Sequence, residues 1–143
     1  MNGLDELISN LTLSGARATR QPAAALAAVA GARAYGIYAI DLAGVADKAD
    51  LMERLQGALH FPDWFGRNWD ALEDCLTDMS WSEHVGYVLL IRGGAELRRQ
   101  HKPLLDALID VLKSAADYWR GEERVFWAFF LDLQPDPTLP GFP

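Results

Sequence analysis

Residues Arg124–Leu131 read RVFWAFFL, one arginine followed by an unbroken apolar run. A run of this length and aromatic content has no polar face to turn towards water, so it reads as a strand buried on both sides. Two other stretches have the same character: Tyr35–Leu42 (YGIYAIDL) and Tyr87–Ile91 (YVLLI), stopped by Ala43-Gly44 and Gly93-Gly94. Between them the hydrophobic period changes to that of a helix. Asp47 or Asp50 caps a helix through Leu59, with Leu51, Leu55 and Leu59 on one face. Asn68–Met79 forms a second helix. Leu97–Trp119 forms a long third one, with Pro103 marking its true start and Gly121 its end. Buried strands that alternate with helices pair in parallel through right-handed crossovers. The expected object is a two-layer α/β domain with a three-stranded parallel sheet, two helices in the first crossover and one in the second.

The remaining segments flank that unit. Residues 1–34 read as a helical extension packed on the domain, with a short helix over residues 4–11 and another from Pro22 to about Arg33. Residues 12–21 fit either an extra edge strand or a loop. The α/β domain occupies residues 35–133. Residues 134–143 hold four prolines and read as a loose tail.

Composition narrows the class of function. The chain has 143 residues, half of them hydrophobic, which is enough for one domain with a real core. Acidic residues number 20 and basic residues 13, for a net charge of −7. Phosphate backbones need concentrated Lys and Arg, so nucleic acid is not the expected partner; a basic protein is. Cys75 is the lone cysteine, which excludes an intramolecular disulfide and fits a reducing cytoplasm. No apolar run is long enough to span a bilayer, so no membrane role is expected. The alanine-rich residues 23–34 follow both acids (Asp5, Glu6) and bases (Arg17, Arg20). They read as a surface helix and not as the core of a signal peptide.

Function is concentrated in Phe61–Trp81, FPDWFGRNWDALEDCLTDMSW. Trp69, Leu72, Leu76 and Met79 recur in steps of three and four and form one apolar stripe. Asp70, Glu73, Asp74, Thr77 and Asp78 follow the same steps on another face. From Asp63 to Asp78 there are five acids (Asp63, Asp70, Glu73, Asp74, Asp78) against one base, Arg67. Like charges at this spacing cost a helix about 0.2–0.5 kcal/mol per pair. Such a face is either a solvated acidic surface or one kept for a partner. In the preceding loop Trp64 and Phe65 are adjacent, and two neighbouring aromatics do not both bury easily in so short a segment. Exposed aromatics beside charges are typical binding anchors. Gly66 permits a positive φ or a close backbone approach.

The run Pro62-Asp63-Trp64-Phe65-Gly66-Arg67-Asn68-Trp69-Asp70-Ala71-Leu72-Glu73-Asp74-Cys75-Leu76-Thr77 resembles, without a gap, the characteristic run of the barstar family. There a proline, an acid, two aromatics and a glycine precede an asparagine-capped helix. The resemblance extends over about Tyr35 to Leu131. It implies a protein inhibitor and not an enzyme, one that blocks a small basic secreted ribonuclease one-to-one inside the producing cell. It also implies roles by position. Asp74 would occupy the scissile-phosphate site, and Asp70 would meet cationic groups at the rim. Trp64 would stack on a base or imidazole, with Phe65 beside it. Asn68 and Thr77 would supply hydrogen bonds, and Gly66 would let the backbone approach. The chain departs from the family's archetype in having Trp64 and Phe65 for two tyrosines, Glu73 for a tryptophan, and Asp78-Met79 for a glycine–tryptophan pair. Its patch is more acidic, so an immunity protein against a different toxin is the alternative. Asp110 and Asp117 are the candidate acids from the last helix.

Other chemistry is less supported. His60, His84 and His101 share no metal-ligand spacing with Cys75. Asp70 and Asp74 lie one turn apart and, with Glu73, would make a poor divalent-cation site without ligands from elsewhere. No cofactor and no resident metal are expected.

Overall fold

A computed structural model describes residues 3–143. Its five strands are β1 (Ala16–Thr19), β2 (Gly36–Asp41), β3 (Gly86–Arg92), β4 (Val125–Phe130) and β5 (Gly141–Phe142). They form one sheet in the order β2-β3-β4-β1-β5, with every pairing parallel. The helices are α1 (Gly3–Ile8), α2 (Ala23–Ala32), α3 (Lys48–Leu59), α4 (Trp69–Asp78) and α5 (Gly94–Gly121). The three strands expected from the apolar runs form and lie side by side, so the parallel α/β class holds.

Strand number and layering differ from expectation. Ala16–Thr19 pairs with β4, in register Ala16 to Ala128, and β5 adds on its other side. β3 and β4 are also covered on both faces, whereas β2, expected to be buried on both sides, is an edge strand that leaves Ile37, Ala39 and Asp41 exposed on one face. Tyr87, Leu89, Ile91, Phe126 and Phe130 pack with α3, α4 and α5. Val88, Leu90, Trp127 and Phe129 point to the opposite face, where Ile8 of α1 and Leu26 and Ala30 of α2 cover them. This is the period of two of a strand buried twice, and it explains why those runs have no polar positions. The second helical layer comes entirely from residues before Tyr35. The Trp127 indole N–H donates to the Ile8 carbonyl at 2.8 Å and ties that layer to the sheet. The tail is not loose: Phe142 is buried, its ring edge-on to Trp127 at 5.1 Å and to Phe129 at 4.9 Å.

Local chemistry sets the helix ends. Asp47 caps α3, its carboxylate accepting from the Asp50 N–H at 2.9 Å, while Asp50 accepts from the Ala46 N–H at 2.9 Å. Both candidate caps are therefore used, in a reciprocal arrangement of the capping-box kind. α5 breaks at His101 (φ −148°, ψ 62°), two residues before Pro103. Proline lacks the N–H that would continue the ladder, so it sits in the first turn of the second segment. Among the described residues no helix is long and apolar enough to cross a membrane.

Candidate functional site

α4 is built as its sequence dictates. The Asn68 side-chain oxygen accepts from the Ala71 N–H at 2.8 Å and satisfies an orphan donor of the first turn. The helix ends at Met79, which adopts a left-handed conformation (φ 52°) and whose N–H returns to the Cys75 carbonyl at 3.1 Å. Met79 is not glycine, and its fully buried side chain holds it there. The Leu76 carbonyl lies in the last turn, where acceptors lack partners. It receives the indole N–H of Trp119 from α5 at 2.8 Å. Leu72, Cys75 and Leu76 are buried against α5 and the sheet.

The other face of α4 is open. Asp70, Glu73, Asp74 and Asp78 are exposed, as is Asp63 in the preceding loop. None of these five carboxylates takes part in an ion pair or a side-chain hydrogen bond among the described residues. Thr77 is half-buried, and its hydroxyl donates back to the Glu73 carbonyl at 2.8 Å. It therefore has lone pairs, but no proton, to offer a partner. Asn68 is likewise engaged: it caps the helix, and its amide donates to the Gly66 carbonyl at 3.4 Å.

The loop divides its two aromatics. Trp64 is 65% exposed, its ring edge-on to Trp81 at 6.0 Å. Trp81 stands edge-on to Phe61 at 5.8 Å and donates its indole N–H to the Leu59 carbonyl at 3.4 Å. Trp64 thus rests on a braced aromatic wall. Phe65, expected at the partner surface, is only 5% exposed and packs against Phe61 at 4.9 Å. Its ring belongs to the core, because the Phe65 N–H bonds back to the Pro62 carbonyl at 3.0 Å and turns the chain inward. Of the two readings of Gly66, a positive φ or a close approach, the first does not hold, and the positive φ falls on Arg67 (φ 54°). At Gly66 the constraint is space: an added Cβ would lie 3.3 Å from the Ala71 methyl.

Asp110 and Asp117 do not face α4. Trp119, which does, lies nine residues from Asp110 and two from Asp117, and at 3.6 residues per turn each is about half a turn away. Glu122 and Glu83 border the acidic face instead, in a groove of about 390 Å³ that also includes Thr77, Asp78, Tyr118 and Arg124, the last paired with Glu83 at 3.8 Å. Trp81, Glu83 and Glu122 were not singled out from sequence: the turn after α4 carries Trp81 back onto Phe61 and Trp64, and the packing of α4 on α5 brings Glu122 near Thr77 and Asp78. Among the described residues no three His, Cys, Asp or Glu side chains converge as a metal site requires.

Two expected results check this division of α4. Leu72→Ala and Leu76→Ala each lower stability by about 2–5 kcal/mol, as buried truncations do. Asp74→Ala leaves urea stability unchanged or slightly higher, because a like-charge contact is removed. If Asp74→Ala were the most damaging of the three, its carboxylate would be structural. Cys75 supplies the second check. Burial, followed by the negative charges of Asp78 and Asp74, pushes its thiol up to about 11. The native thiol should resist a thiol reagent at pH 8 and react at once in denaturant. The folded pKa is raised, so the Cys75 contribution to stability is present below the unfolded thiol's ~8.5. It is lost as pH rises to about 11, because there only the unfolded chain releases the proton. Cys75→Ala should remove that slope.

Residues 35–131 match the family model described as "Barstar (barnase inhibitor)". No curated protein matches the chain significantly.

Proposed function

The chain belongs to the barstar family, and we propose that it inhibits a small basic extracellular ribonuclease, one-to-one, inside the cell that makes both. The observation that carries this reading is the unpaired carboxylate face of α4, with Asp74 at its centre and exposed Trp64 at its edge. A carboxylate carries the charge of a phosphate oxygen and accepts forked bonds from arginine, so it suits a cleft built to hold RNA phosphate. Asp70, Glu73 and Asp78 surround it. Thr77 accepts, Asn68 and Gly66 set the loop, and Phe65 packs on Phe61, which with Trp81 forms the wall that carries Trp64.

A second reading is immunity to a different toxin with the same fold. It is favoured by Glu73 and Asp78, exposed acids where the family's archetype has tryptophan and glycine. Titration of a genomically neighbouring small basic ribonuclease separates the two: activity falls to zero at a molar ratio of one if the first reading holds. Tight binding to another toxin, with no inhibition of several basic ribonucleases, would establish the second. In the same titration Asp78→Ala should slow association mainly at low salt, since a rim charge acts through steering.

A further inference from the structure

A second charged site, of opposite sign, lies on the side of α5 turned towards β1. A cleft of about 220 Å³ is lined there by Gly15, Arg17, Lys113, Asp117, Arg120 and Pro140, among others. Three cations thus meet one carboxylate, on a chain whose net charge is −7. Both guanidiniums are fixed in place. Arg17 donates from Nε and Nη2 to the Leu13 carbonyl at 3.1 and 2.9 Å, and from Nη1 to the Gly141 carbonyl at 3.3 Å. Arg120 donates from Nε to the Leu11 carbonyl at 3.3 Å, from Nη2 to the Ser14 carbonyl, and from Nη1 to Asp117 at 2.6 Å. A guanidinium has five N–H groups, so each retains two that these bonds do not use.

The carbonyls that hold the arginines carry no net charge. Asp117 is the one anion lining the cleft, and its side chain is 75% exposed. Arg17 has no carboxylate partner among the described residues, and its pKa is lowered by burial and then by the charge of Arg120. Lys113 is half-buried, and its ammonium makes no hydrogen bond or ion pair among the described residues. The fold therefore holds three cations against a single, largely exposed carboxylate that pairs with Arg120 alone, and a bound anion would relieve the charge left on Arg17 and Lys113.

We infer that this cleft binds a phosphate-class oxyanion, either free phosphate or the phosphate of a monoester, through Lys113 Nζ and the unused N–H groups of Arg17 and Arg120. The site is independent of the acidic helix and does not rest on ribonuclease inhibition. The test is calorimetric titration of the full chain with sodium phosphate and, separately, glycerol phosphate, each against sodium chloride at matched ionic strength. Saturable one-site binding is expected. Lys113→Gln should weaken it about tenfold, the loss of one charge-assisted hydrogen bond, and Lys113→Arg should retain it. An unchanged melting temperature of Lys113→Gln in chloride separates loss of the site from loss of the fold. Binding of phosphate alone assigns the site to the free ion, binding of the ester alone assigns it to monoesters, and binding of both assigns it to the phosphate group that they share. Absence of saturable binding of either ligand by the wild type, or equal binding by Lys113→Gln, would overturn the inference.

Discussion

Asp74→Ala is expected to weaken the complex with a basic ribonuclease by several kcal/mol while leaving the free protein as stable as before. The carboxylate is exposed and has no ion-pair partner among the described residues, so its removal breaks no pairing there. In the complex its cationic partners would be buried and left unpaired, which is where the large cost arises. The scale is about 4–8 kcal/mol for the strongest interface anchors, a range whose upper end comes from a member of this same family and is borrowed from it. Dissociation rates, measured by surface plasmon resonance for wild type and variant, should account for most of the change. Equal dissociation rates would place the energetic centre of the interface elsewhere.

Removal of residues 1–34 is expected to abolish cooperative folding. That segment carries β1, which sits between β4 and β5, and the two helices that cover the second face of the sheet. Its loss exposes Val88, Leu90, Val125, Trp127 and Phe129 and strips the Ile8 carbonyl from the Trp127 indole. Burying a large apolar side chain contributes about 1.5–3 kcal/mol, so five of them represent on the order of 10 kcal/mol. That is comparable with the whole stability of a domain this size. Urea unfolding of a chain of residues 35–143, followed by near-ultraviolet circular dichroism, should show no sigmoidal transition. A transition with the wild-type midpoint would mean that the N-terminal layer is dispensable.

The central strands, the Asn68 cap and the two-sided helix were legible because each has a purely local cause: a run without polar positions, a side-chain acceptor, a period of three and four. β1 was legible only as one of two options, edge strand or loop: ARAT carries an arginine, and its place inside the sheet is imposed by β4 and β5, which are distant in sequence. The same holds for Phe142, hidden in a proline-rich segment yet buried against Trp127. Within the site, adjacency showed that Trp64 and Phe65 were unlike their surroundings, but only the inward turn at Pro62 decides which ring faces water. The acids of α5 required knowledge of which side of that helix meets α4. Trp119 fixes that side through its bond to Leu76, and it brings Glu122 forward while turning Asp110 and Asp117 away.

The most direct test of an α4-in-cleft inhibitor is competition for the enzyme's active site. The affinity of the wild-type chain for its ribonuclease would be measured at rising concentrations of a mononucleotide that occupies the catalytic cleft. The apparent Kd is predicted to rise linearly with nucleotide concentration and without a plateau, because Asp74 and the nucleotide phosphate would claim the same cationic groups. An apparent Kd that stays constant at saturating nucleotide would mean that the two bind together, and would contradict the placement of Asp74 in the active site.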